Sequence, residues 1–110
     1  MTFHKVKITG TGQFLPGKPV PFEETDRYLG TITDAPPSVV KWLSRIKPLM
    51  KEMLDIGYYH YAIDPETRKF TEDNVTMAVK AARQALDMAR MKPEDIQFIA
   101  YGSAHQHQMP

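Results

Sequence analysis

The chain has 110 residues, 42% hydrophobic and 25% charged, and fourteen Lys and Arg against thirteen Asp and Glu leave a net charge of +1. That composition excludes a mainly disordered or collagen-like chain, and the balanced charge leaves no strong field for nucleic acid or an anionic membrane. The absence of cysteine excludes disulfides, thiolate metal sites and a cysteine nucleophile within these residues.

No apolar run approaches the ~20 residues of a membrane span. The start, Met1-Thr-Phe-His-Lys-Val-Lys, lacks the apolar core of a secretory signal. A chain this short buries only ~65% of its unfolded surface, so it reads as one small domain or a piece of a larger one.

In residues 5–15, Val6, Ile8, Gly10 and Gly12 alternate with Lys7, Thr9 and Thr11. This period of two predicts a strand with one buried face. The glycines either let another backbone approach closely or mark a bulge. Pro16-Gly17-Lys18-Pro19 ends the strand in a turn. Residues 22–29 predict a short helix closed by Gly30, and 31–37 a breaker-rich loop. From Ser38, Val39, Trp42, Leu43, Ile46, Leu49, Met50, Met53 and Leu54 follow amphipathic helical spacing. Pro48 lies inside this helix and is expected to kink or split it, and Gly57 to end it.

Tyr58 to Ile63 is rich in tyrosine and predicted to be extended, with a turn at 64–69. Residues 71–74 offer several N-caps for a helix over about 74–91. Its stripe of Val75, Val79, Ala82, Leu86 and Ala89 is widened by Ala78, Ala81, Ala85 and Met88. So many small residues allow close packing against backbone, and the broad apolar face asks for cover on more than one side. Residues 96–101 form a nearly continuous apolar run, the pattern of a parallel strand buried on both faces. The order predicts an α/β arrangement with a right-handed crossover through the long helix, and it looks cut rather than finished.

Most polar clusters have structural readings. Gly10-Thr-Gly12 lacks the third glycine and the following helix of a dinucleotide fingerprint. His105 and His107 would share one face of a strand, but no third metal ligand has compatible spacing. Glu23-Glu24 and Glu94-Asp95 sit where turns or helices begin, and adjacent carboxylates do not face each other as glycosidase chemistry requires. Tyr58, Tyr59 and Tyr61 with His60 read either as a binding surface or as an amphipathic strand whose hydroxyls reach water. Trp42, Arg45, Lys47 and Lys51 read either as a site for a phosphate-bearing partner or as a solvated helix face.

Several stretches, in order, resemble one family. Ile8-Thr-Gly-Thr-Gly-Gln-Phe-Leu-Pro16 resembles the opening strand and turn of the beta-ketoacyl-(acyl carrier protein) synthase III family, which has a thiolase fold. Tyr61-Ala-Ile-Asp-Pro65 resembles a segment found in one branch of it. Asn74 through Ala89, with Met77, Ala81, Arg83, Ala85 and Met88, is similar to the family's first long helix. Asp95-Ile96 through Tyr101-Gly-Ser-Ala104 resembles its next core strand, and His107-Gln-Met-Pro110 the stretch shortly before its nucleophile. Together these cover most of the chain. In place of the basic residue usual before the Tyr-Ala-Ile-Asp-like segment stands Tyr59 or His60.

The resemblance implies an α/β fold: the N-terminal part of a thiolase-like mixed sheet with a buried long helix, incomplete on its own. Residues 1–110 would then be an N-terminal fragment ending just before the nucleophile. The implied reaction is decarboxylative Claisen condensation of an acyl thioester with malonyl carrier protein, in fatty acid or related biosynthesis. Its partners would be acyl-CoA and acyl carrier protein, its assembly a cytoplasmic homodimer, and no bound cofactor would be needed.

The family's catalytic cysteine, histidine and asparagine all lie outside this chain, so no catalytic residue is expected here. His105 and His107 do not match the catalytic histidine. Three residues are carried over as substrate-binding: Met109 toward a partner's acyl pocket, and Trp42 with Arg45 toward coenzyme A, their spacing differing from the family's by one. The alternatives are a non-catalytic subunit of a thiolase-fold heterodimer, or a small binding module using the tyrosine-rich strand.

Overall fold

The computed structural model describes residues 3–103. They fall into two compact units, Leu15–Glu72 and, outside it, residues 3–14 with 73–103.

In the unit Leu15–Glu72, β1 (Val20–Pro21) pairs antiparallel with β2 (Tyr58–Tyr59), with Val20 opposite Tyr59. A 3-10 turn at Phe22–Glu24 leads into α1 (Thr25–Leu29). Gly30, at φ +86°, closes that helix and donates its N–H to the Asp26 carbonyl at 2.8 Å, as the sequence predicts.

α2 (Pro37–Leu54) begins with proline at its first position, where the missing N–H costs nothing. Pro48 does not split it. The helix ends at Leu54, three residues before Gly57, because Asp55 takes the left-handed conformation at φ 50°, which aspartate tolerates better than most residues.

Residues 62–71 form a hairpin tip, with Ile63 bridging Phe70. Asp64 Oδ1 accepts from the N–H groups of Glu66 and Thr67, both at 2.8 Å, an Asx-type turn. Arg68 stands at φ 61° and donates from its guanidinium to the Tyr28 carbonyl at 2.6 Å. It thereby satisfies an orphan acceptor at the end of α1. Val20 and Tyr28, 2% and 6% exposed, are the buried hydrophobic residues among those described.

The other unit is organised by α3 (Asn74–Ala89). Asp73 caps it, accepting from Thr76 N–H at 2.7 Å while Thr76 Oγ1 accepts from Asp73 N–H at 3.0 Å, a reciprocal capping box. Arg90 then turns left-handed, and Met91 N–H returns to the Leu86 carbonyl at 3.0 Å. That bond satisfies a last-turn acceptor and stops the helix two residues before the predicted end.

Residues 8–14 lie along α3. A Cβ on Gly10 would come 2.2 Å from the Ala85 carbonyl oxygen, and one on Gly12 would come 2.0 Å from that of Ala81. Of the two readings of these glycines, close backbone approach is the one realised, and the alanines of α3 are what permit it. Lys80 lies over the Phe14 ring, and Gln13 N–H donates to Gln84 Oε1 at 2.7 Å.

The mix of helices and a small sheet is α/β in the coarse sense, but several finer expectations fail. Among the described residues the sheet is a two-stranded antiparallel ladder, not a mixed sheet. The predicted strands at 5–15 and 96–101 carry no ladder, so there is no parallel pair for a crossover to join. Their patterns encode buried faces, yet Val6 and Ile8 are 94% and 87% exposed and Phe98 and Ile99 nearly as open. The long helix is not buried either: no residue of α3 falls in the buried class, because the 8–14 segment covers only one side of it.

Candidate functional site

In Leu15–Glu72 an open cleft of ≈ 680 Å³ lies between α2 and the tyrosine-rich strand. Such a volume is within the range of small-molecule sites. One wall is a row of rings. Phe22 and Tyr59 have centroids 6.1 Å apart and Tyr59 and Tyr61 6.3 Å; behind this wall Tyr61 stacks on the buried Tyr28 at 5.3 Å. The facing wall is aliphatic, with Val40, Leu43 and Met50 from α2, and Leu29 and Ile32 close one end.

The row arises because β2 and its continuation alternate, placing Tyr59 and Tyr61 on one face while Tyr58 points to solvent. Tyr61 and Tyr59 line the cleft, so the binding-surface reading of these tyrosines has a physical counterpart. Tyr58, 65% exposed, fits the amphipathic-strand reading.

Polar groups sit at the edge of the cleft. Lys47 Nζ donates to both Asp26 oxygens at 2.7 Å. One turn further along α2, Lys51 pairs with Glu23. The Lys51 hydrogen bond is the main reason that the Glu23 carboxyl lies below its usual range. Desolvation, helped by Tyr59 and the Asp26 charge, pushes the Tyr61 phenol up. Away from the cleft, the Thr67 and Glu66 amides hold Asp64 low, and Glu66 raises Arg27 through their 2.8 Å contact.

The carried-over binding residues are not assembled here. Trp42 is 57% exposed on α2, and Arg45 is exposed one turn on. Neither lines the cleft, whose α2 contacts come from the opposite face. Met109, His105 and His107 lie outside the described residues.

The acidic pairs behave as the sequence suggests. Glu23-Glu24 fills the first turn at Phe22–Glu24, and Asp95 accepts from Lys92 N–H at 2.9 Å at the start of a 3-10 turn. His60 is a packing residue, half-buried with Nδ1 3.1 Å from the Pro16 carbonyl oxygen. Among the described residues no cluster of three His, Asp or Glu could hold a metal, and no helix is long and apolar enough to cross a membrane.

Sequence reasoning missed Asp26 and Arg68. Asp26 reads as an ordinary first-turn acid, and its signal, a lysine 21 residues away, is non-local. No protein-family model matches the chain, and no curated protein matches it.

Proposed function

We propose that this chain is the N-terminal part of a beta-ketoacyl-(acyl carrier protein) synthase III-like condensing enzyme and is itself non-catalytic. The observation that carries the reading is the contact between residues 8–14 and α3. Two of the stretches that carry the resemblance, 8–16 and 74–89, meet where Gly10 and Gly12 approach the alanines of α3. The uncovered apolar side chains of 3–8 and 96–101 add to it, since such faces call for further protein.

In this reading a cysteine supplied after Pro110 takes the acyl group from coenzyme A or a carrier protein. Covalent catalysis by its thiolate splits the condensation into two easier steps. Malonyl carrier protein then loses carbon dioxide, and the carbanion attacks the acyl-enzyme, with polar donors holding the developing negative charge. The present residues supply scaffold, and Met109, Trp42 and Arg45 would touch substrate only in a cytoplasmic homodimer of the whole enzyme.

The test is an assay of the 110-residue chain beside the product of its natural reading frame, with acyl-CoA and malonyl carrier protein. The chain alone should give no turnover. The longer product should condense and should lose activity on Cys→Ala substitution at its first cysteine. A frame with no cysteine within a few codons of residue 110 sinks the reading.

The cleft beside Tyr59 and Tyr61 favours a second reading, a small binding module. A monodisperse, cooperatively unfolding monomer that binds a ligand there would support it.

A further inference from the structure

We propose that α2 is an ion-tethered strap, held over the aromatic row by two surface salt bridges and released when they are screened. This does not depend on the condensing-enzyme reading. The helix has eighteen residues, none of them in the buried class. Apolar packing therefore holds it weakly, although Val40, Leu43 and Met50 face the cleft.

What ties it down is charge. Lys47 binds both oxygens of Asp26, and Lys51 binds Glu23. These lysines flank Pro48, which has no N–H to give the Ser44 carbonyl. The tethers thus grip the helix where its own ladder lacks one bond. On one flank residues 30–36 carry no helix or strand; on the other the hinge is short, Asp55 and Ile56, because the Gly57 carbonyl accepts from Phe22 N–H at 3.3 Å.

Exposed ion pairs are weak and salt-sensitive, so tethers of this kind leave the strap finely balanced. Swinging it away would uncover Phe22, Tyr59 and Tyr61 along one side of the cleft. Ionic strength would then set access to an apolar surface.

The chain has no cysteine, so Glu52→Cys and Lys69→Cys can carry two nitroxide labels without interference. Electron-electron distance measurements on the whole chain should give one short population at low salt. A longer population should grow about threefold or more in ~1 M NaCl, where the Debye length is only ~3 Å. In a Lys47→Gln/Lys51→Gln background the longer population should already be present and should no longer respond to salt. Lys47→Arg/Lys51→Arg should restore both the short distance and the response. Unchanged distances in the unsubstituted labelled chain overturn the proposal, as does a salt response that survives in the double Gln variant. Should that variant fail to fold by circular dichroism, the salt titration of the unsubstituted chain decides alone.

Discussion

Gly10 and Gly12 show how far one residue type can be read. A glycine on the inward face of an alternating segment signals that a backbone passes close by, and here the passing backbone is that of α3. Gly10→Ala or Gly12→Ala would place a methyl carbon 2.2 or 2.0 Å from a carbonyl oxygen. Each should destabilise its unit by about 1–3 kcal/mol, the usual range for forcing bulk into a filled contact. Gly102→Ala, with nothing within 4 Å, is the control, and urea midpoints compare the three.

Asp64 gives a pH dependence. Its carboxyl is held below its ordinary 3.8 by two amide donors. The stability it lends the hairpin is therefore complete above 3.8 and fades as pH falls through the lower, folded value. Hydrogen exchange at the Glu66 and Thr67 amides should accelerate in acid beyond its intrinsic pH trend, and Asp64→Ala should abolish that excess. Left-handed Asp55, Arg68 and Arg90 were illegible in the sequence. Glycine advertises positive φ, whereas aspartate and arginine adopt it only when the surrounding bonds impose it.

Helices were more legible than strands. The start of α3 is written locally, in Asp73 and Thr76, and the capping box forms as those residues allow. Asp73→Ala should cost about 1 kcal/mol, visible as a lower thermal midpoint. Of the kink or split that Pro48 leads one to expect, the split is not made, because one missing hydrogen bond is tolerable at an exposed position. Pro48→Ala should raise helicity by circular dichroism and stabilise the unit by up to ~3 kcal/mol; an unchanged spectrum would mean that the proline strain is already relieved. Strands need partners, and the pattern of 5–15 or 96–101 records only which face expects one. Without a ladder these segments remain uncovered chain, however clear their alternation.

At the scale of the molecule, two buried hydrophobic side chains among the described residues are a slender core. Phe3, Val6, Ile8, Phe98, Ile99 and Tyr101 add exposed apolar surface, which in soluble proteins marks interaction sites or invites aggregation. The chain should bind the dye ANS while retaining its helical circular dichroism and should associate with rising concentration in light scattering. Ile8→Lys with Phe98→Lys should weaken both signals. The chemistry was the least legible level. Trp42 and Arg45 rest on resemblance alone, whereas the cleft depends on Asp26, Lys47 and Tyr61, which come together only when three distant stretches meet.

The guanidinium of Arg68 has a practical corollary. Trypsin must draw an arginine side chain into its own acidic pocket while the neighbouring peptide lies extended. Here the backbone curls the wrong way at φ 61° and the side chain is already engaged with the end of α1. Brief digestion should therefore spare the bond after Arg68 and cut first after Lys5 and Lys7, so the fragment pattern by mass spectrometry becomes a direct gauge of whether the hairpin tip is closed.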